Sequence, residues 1–64
     1  MIEITLEPDE DILEIRLAPT PLNSVFRSTN HGYDEIDKDT RKLICRTIYD
    51  ISGIKERRTL LKIN

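Results

Sequence analysis

Hydrophobic and polar residues alternate along the first seventeen positions of the chain. Apolar side chains occupy every second position in two stretches: Ile2, Ile4 and Leu6, then Leu13, Ile15 and Leu17. A period of two is typical of a β-strand with one buried face. Pro8 and Asp9 lie between the two stretches and favour a turn. The pattern predicts a β-hairpin whose solvated face carries Glu3, Glu7, Glu14 and Arg16.

The segment from residue 18 to residue 36 has no regular period. Pro19 and Pro21 exclude a regular helix at its start. Because long structureless loops are rare in small domains, we expect Ser24 to Arg27 to form a short strand or a packed turn. Val25 and Phe26 are the expected anchors of this segment in the core.

Residues from 37 to 52 show a spacing that predicts a helix. At about 100° per residue, a narrow arc of one helix face would hold Thr40, Ile44, Thr47, Ile48 and Ile51. Asp37 is the expected N-cap, and the acids around it would lie at the favourable end of the helix dipole. Gly53 suits the left-handed position just after the last turn.

The last residues predict another strand, in which Thr59, Leu61 and Ile63 face the core and Leu60 falls on the other side. The whole chain, residues 1–64, is therefore predicted to be a single small α+β domain. Its two layers would be one helix packed on one face of a mostly antiparallel sheet, in the order β-β-(β)-α-β. The sheet would have three strands, or four if Ser24 to Arg27 forms one, with the last strand beside the first.

Composition narrows the chemistry that the chain can support. Cys45 is the one cysteine and His31 the one histidine, so an internal disulfide and a four-ligand zinc site are both excluded. We expect no metal and no cofactor. The opening residues resemble no secretory signal, and no apolar run approaches the ~20 residues that span a bilayer. The lone cysteine favours a soluble protein of a reducing compartment, the cytoplasm.

Two residues raise the question of catalysis. His31 lies near several carboxylates and could form an acid/base pair with one of them. A histidine beside Gly32 in a loop is more often a turn residue, and Cys45 is expected to be a small buried hydrophobe. We therefore predict that the protein is not an enzyme. His31 and Tyr33 are kept as a candidate functional loop.

Charge is distributed unevenly along the chain. Residues 1–39 carry ten acids and three bases, a net charge of −7, whereas residues 40–64 carry seven bases and two acids, a net charge of +5. Such halves can attract each other within the fold or present faces of opposite charge to a charged partner.

Two surfaces are candidates for binding. An exposed tyrosine among basic residues has the composition of a protein interface, and this candidate interface comprises Lys42, Arg46, Tyr49 and Leu60. The second candidate is a basic patch for nucleic acid, comprising Lys55, Arg57, Arg58 and Lys62. Aromatic residues make up 5% of the chain and the sequence pI is about 5.3, which both oppose nucleic-acid binding.

Two stretches resemble the N-terminal scaffold domain of NifU-like (Nfu) iron–sulfur carrier proteins, over about half of the chain. Residues 7–17 are similar to that family's opening, where an acid and a proline precede an alternating strand. Residues 43–63 are similar to its helix, its cap at Ser52-Gly53-Ile54 and its following strand. The resemblance implies a fold and a protein-contacting, non-catalytic role. The family's cluster-binding CxxC is absent here, so iron–sulfur binding is not implied.

The sequence thus predicts a small soluble protein-interaction or adaptor domain without catalysis. Its partner would be another protein, with self-association into a homo-oligomer as a further expectation and no membrane contact. The alternative is a small nucleic-acid-binding regulator that uses the basic C-terminal residues.

Overall fold

The computed structural model describes residues 2–53, and they form one five-stranded antiparallel sheet. The elements are β1 (Glu3–Glu7), β2 (Ile12–Arg16), β3 (Ser24–Ser28), β4 (Gly32–Asp37), β5 (Leu43–Tyr49) and a short 3₁₀ turn (Ile51–Gly53). The spatial order is β1-β2-β5-β4-β3, so β5 is the central strand and β1 and β3 are the edges.

The predicted α+β architecture is wrong, because no residue in the described range lies in an α-helix. The segment expected to form the helix contains β5 instead. Its apolar residues Ile44 and Ile48 are four positions apart, and four is an even number. They therefore share one face of a strand as well as one face of a helix. Thr47 is β-branched and Tyr49 is aromatic, and both residue types favour a strand.

The predicted first hairpin is confirmed. In its register Ile4 lies opposite Ile15 and Leu6 lies opposite Leu13, so these four side chains are on the same face. The short strand expected near residue 24 is also confirmed as β3, but its role differs from the expectation. Phe26 is 65% exposed, so it does not anchor the segment in the core.

The turn of the first hairpin is closed by a backbone hydrogen bond, and Asp11 connects it to the 3₁₀ turn. The amide of Glu10 donates a hydrogen bond of 3.2 Å to the carbonyl oxygen of Glu7. Asp11 follows with a φ of 57°, in the left-handed region that aspartate tolerates better than most residues. The Asp11 carboxylate also accepts hydrogen bonds from the amide and the hydroxyl of Ser52, the latter at 2.6 Å. This contact fixes the 3₁₀ turn against the hairpin.

The prediction of Asp37 as a helix N-cap is wrong. Asp37 ends β4, and its side chain caps the turn that follows. Its Oδ1 accepts hydrogen bonds from the amides of Asp39 at 2.8 Å and Thr40 at 3.3 Å. The amide of Arg41, which has a φ of 66°, donates to the Asp37 carbonyl oxygen at 2.8 Å. These bonds close the β4–β5 hairpin with the same side-chain chemistry that caps a helix.

The register divides the sheet into two faces. Residues directly opposite each other in antiparallel strands share a face, which assigns the buried isoleucines to one side, here called the isoleucine face: Ile15, Ile36, Ile44 and Ile48. Ile48 is 2% exposed and lies at the centre of this core. The edge strand β1 stays more open, since Ile4 is 67% and Leu6 57% exposed, against the expectation that they are buried.

An ion pair between a buried acid and a partly exposed base lies on the isoleucine face. Nε of Arg46 is 2.9 Å from Oδ1 of Asp34, and a second guanidinium nitrogen bonds the other carboxylate oxygen at 3.1 Å. The Asp34 side chain is 4% exposed. The pair joins the acidic half of the sequence to its basic half across β4 and β5.

Gly32 is required at the start of β4 by the closeness of the neighbouring strand. A Cβ atom at this position would overlap the carbonyl oxygen of Thr47 on β5. Gly53, in contrast, does not adopt the left-handed conformation that was predicted for it. The predicted C-terminal strand, with Leu60, lies outside the described residues.

Candidate functional site

The opposite side of the sheet, here called the cleft face, contains a cleft because the central strand carries short side chains there. β5 places Cys45 and Thr47 on this face, and both are buried. The flanking strands carry longer side chains at the register positions on either side: Glu14 and Arg16 on β2, Tyr33 and Glu35 on β4. The resulting cleft has a volume of about 320 Å³. Thr20, Ser24 and Phe26 line it further.

Arg16 is the cationic group of the cleft. Its Nη1 donates hydrogen bonds to the carbonyl oxygen of Ala18 at 3.3 Å and to Oγ1 of Thr20 at 3.2 Å. Its Nη2 is 3.7 Å from Oε1 of Glu35, and its Nε is 3.9 Å from Oε1 of Glu14. Both carboxylate distances exceed a hydrogen bond, so Arg16 offsets part of the charge of the two acids without donating a hydrogen bond to either.

The two glutamates differ in their access to solvent. The side chain of Glu35 is 6% exposed, whereas that of Glu14 is 43% exposed. Glu35 lies on the central part of the sheet, one position from the Asp34 carboxylate that points to the isoleucine face. The cleft therefore has a buried acid in its wall and a second acid at its opening.

Three aromatic rings form a continuous ridge beside the cleft, here called the aromatic ridge: Phe26, Tyr33 and Tyr49. The rings of Phe26 and Tyr33 meet edge to face with centroids 5.7 Å apart, and those of Tyr33 and Tyr49 with centroids 5.9 Å apart. The chain contains one Phe, two Tyr and no Trp. All of its aromatic side chains thus lie on the cleft face, and none contributes to the isoleucine core.

The protonation of two groups on this face is shifted by their surroundings. Burial raises the pKa of the Cys45 thiol, and the negative charge of Glu14 raises it further, although Arg16 opposes this. Partial desolvation, followed by the neighbouring Tyr33, raises the pKa of the Tyr49 hydroxyl. Both groups therefore hold their protons at neutral pH, and Cys45 lacks the thiolate character of a nucleophile.

The structure does not bring the predicted protein interface together. Tyr49 lies on the cleft face and is 42% exposed, whereas Arg46 lies on the isoleucine face in its ion pair with Asp34. Lys42 is exposed in the β4–β5 turn. Bonding to Asp34 also raises the pKa of the Arg46 guanidinium. Leu60 and all four residues of the predicted nucleic-acid patch, Lys55, Arg57, Arg58 and Lys62, lie outside the described range.

The predicted loop residues His31 and Tyr33 separate in the structure. His31 is exposed in the β3–β4 turn, where its carbonyl oxygen accepts a 2.7 Å hydrogen bond from the amide of Tyr49. Tyr33 belongs to β4 and forms the middle of the aromatic ridge. Of the two, Tyr33 is the one that contributes its side chain to the cleft.

Sequence reasoning missed four important residues of this site: Glu14, Phe26, Glu35 and Cys45. One signal for them was present. If residues 43–49 are taken as a strand, Cys45 and Thr47 fall on the side opposite Ile44 and Ile48, and short residues are then expected to leave a groove. Glu35 carried no such signal. A buried acid on an inner strand is unusual, and the cation near it, Arg16, belongs to a distant part of the sequence.

Comparison of the chain with protein families, with curated proteins and with solved structures gives no match. The similarity to NifU-like scaffold domains therefore stays a prediction. Within residues 2–53, no group of three or more His, Cys, Asp or Glu side chains is arranged to hold a metal ion. No helix in that range has the length and hydrophobicity that a membrane-spanning helix requires.

Proposed function

We propose that this chain is a small, soluble, non-catalytic protein-interaction domain that binds a segment of a partner protein on its cleft face. The observation that carries the proposal is the aromatic ridge. Phe26 and Tyr49 are 65% and 42% exposed, and both contact Tyr33 between them. The raised pKa of Cys45 supports a role without covalent chemistry.

The position of the rings is the main physical argument. Aromatic side chains bury large areas and are usually drawn into a core. Here the core consists of isoleucines, and the rings stand on the opposite face, where they remain available for contact. Exposed tyrosine and phenylalanine packed against each other lose little side-chain entropy on binding, and such residues are enriched at interface hot spots.

The partner can be sought with a library of random peptides displayed on phage. The wild-type domain is expected to enrich a set of related peptides, which are then titrated against purified variants by fluorescence anisotropy. Phe26→Ala and Tyr49→Ala should each weaken binding about tenfold or more, as hot-spot truncations do.

Val25→Ala is the matched control for Phe26→Ala. Val25 precedes Phe26 on β3, is 38% exposed and points to the isoleucine face. The Val25→Ala variant should leave the affinity for the selected peptides unchanged. Circular dichroism should show that all three variants keep the sheet. Equal losses for Val25→Ala and the ridge variants, or the absence of any enriched peptide, would contradict the proposal.

Self-association is the second part of the proposal. The edge strand β1 exposes Ile4 and Leu6, and Ile2 just before it is exposed as well. Such a row of apolar side chains is a common site of contact between copies. Sedimentation equilibrium should then give a mass above the 7.5 kDa of one chain, and Leu6→Lys should restore the mass of a monomer. A monomer at all concentrations would contradict it.

A cytoplasmic location and the nucleic-acid alternative are also kept as proposals. The lone cysteine with its protonated thiol suits a reducing compartment.

Nucleic-acid binding would rely on the basic C-terminal residues. Retardation of DNA or RNA in a gel at low salt, with a steep decrease as salt is added, would support it.

A further inference from the structure

The cleft face carries more acids than bases. By register, five carboxylates and one guanidinium of the described strands lie on it: Glu3, Glu7, Glu14, Glu35 and Asp37 with Arg16. The negative excess is concentrated in the cleft, where Glu14 and Glu35 both approach the same arginine. A ligand that enters this cleft meets a negative potential.

Arg16 does not saturate these acids. Its Nη1 is committed to two neutral oxygen atoms, those of Ala18 and Thr20. The contacts from its other nitrogens to Glu35 and Glu14 are 3.7 Å and 3.9 Å long, beyond hydrogen-bond distance. Since an ionised carboxylate accepts several hydrogen bonds, both acids keep acceptor capacity that a second cation can use.

The aromatic ridge supplies the other half of a cation site. Phe26 and Tyr33 line the same cleft as the two glutamates. Aromatic faces attract ammonium and guanidinium groups, and they do so more strongly when the cation is removed from water. The cleft volume of about 320 Å³ lies at the lower end of the range for ligand pockets, which suits one side chain rather than a larger molecule.

We propose that the cleft binds a basic side chain, arginine or lysine, of the partner segment. The inference relies on the proposed protein-binding function and names its ligand class. The partner's cation lies between Glu14 and Glu35 with its alkyl stem against Phe26 and Tyr33. Cys45 and Thr47 form the floor and limit the depth to which the side chain can enter.

The first test uses the tripeptide acetyl-Gly-Arg-Gly-amide and its lysine counterpart, titrated into the ¹⁵N-labelled domain by NMR. Saturable shift changes are expected at the amides of Cys45 and Thr47, with affinity that decreases as salt is added. The citrulline tripeptide has nearly the same shape without the charge, and the glutamate tripeptide reverses the charge. Equal binding of the citrulline or glutamate tripeptide, or no binding of either basic one, would overturn the inference.

The second test uses charge-neutral variants of the domain. Glu14→Gln should weaken the arginine tripeptide about fivefold, as expected for a half-exposed ion pair. Glu10→Gln is the matched control, because it makes the same change in net charge at an exposed turn residue outside the cleft lining. It should change affinity less than twofold. Equal effects of the two variants would show that long-range charge, not the cleft, attracts the peptide.

The two proposals can fail separately. If the selected peptides depend on Phe26 and Tyr49 but contain no essential basic residue, the interaction function stands and the cation inference is overturned. If the basic tripeptides bind in the cleft while no longer peptide depends on the ridge, the cation site stands and the interaction function is overturned.

Discussion

Arg46 shows how a single residue can be essential for stability while resembling a surface residue in the sequence. Its guanidinium bonds both carboxylate oxygens of Asp34, a side chain that is 4% exposed. The isoleucine face accepts an acid only because this base neutralises it. An arginine flanked by Cys45 and Thr47 was therefore read as exposed in the sequence, since its buried partner lies twelve positions away.

Removing this base should unfold much of the protein. Arg46→Met leaves Asp34 buried without its cation, which costs about 3 kcal/mol or more, a large part of the stability of a small domain. Urea denaturation followed by circular dichroism measures the loss. The double variant Asp34→Leu with Arg46→Met should recover most of it, because an apolar pair suits the surrounding isoleucines.

Arg27→Met provides the matched control for that experiment. Arg27 lies opposite Asp34 in the β3–β4 register but is exposed. Its replacement should cost less than about 1 kcal/mol, as exposed charges generally do. If Arg27→Met and Arg46→Met destabilise equally, the assignment of the buried ion pair to Arg46 is wrong.

Cys45 should show the pH dependence of a protonated, buried thiol. Its pKa in the folded protein is raised above the ordinary value of 9.0, so the folded state binds the thiol proton more tightly than the unfolded state does. The resulting stability is complete below that ordinary value and is lost as the pH rises through the folded pKa. Iodoacetamide should therefore react more slowly with the native protein at pH 8 than with the urea-unfolded chain.

The same measurement has an internal control. Cys45→Ser removes the reactive group and should abolish labelling in both states. If Cys45 in the native protein reacts at pH 8 as fast as in the unfolded chain, the raised pKa is contradicted. Cys45 would then again be a candidate nucleophile.

At the scale of elements, the first hairpin and β5 show when the sequence is sufficient and when it is not. Alternation over two stretches separated by a proline-containing turn has one interpretation, and β1 and β2 follow it. The β5 pattern has two interpretations, because Ile44 and Ile48 satisfy both a helix and a strand. In the sequence, Arg46 between them interrupts the apolar face that a strand would have. Arg46 is compatible with that face because Asp34 pairs with it, and this pairing exists only in the folded sheet.

The turn at Asp37 strengthened the wrong interpretation. An aspartate that accepts bonds from the amides two and three positions later is used both at helix starts and in hairpin turns. The local chemistry of Asp37 was therefore predictable, whereas the element that follows it was not. β4 was missed for a related reason: Asp34 and Glu35 are poor strand formers, and their cationic neighbours on other strands make them tolerable.

At the scale of the whole molecule, the two faces of the sheet have separate tasks. The isoleucine face supplies the core, and the cleft face gathers every aromatic side chain of the chain beside a cleft with two acids and one base. The candidate site was only partly predictable. Tyr33 and Tyr49 were singled out from the sequence, but the pairing of β5 with β2 and β4 is what places them next to Glu14 and Glu35.

The most direct test of the binding face is an amide chemical-shift map recorded with the tightest peptide from the library. Binding on the cleft face predicts the largest changes at Phe26, Tyr33, Glu35, Cys45 and Tyr49, because these residues border the cleft or form the ridge. Ile4 and Leu6, which are exposed on the isoleucine side of β1, serve as the reference. Changes concentrated on Ile4 and Leu6, with the aromatic ridge unaffected, would contradict the account.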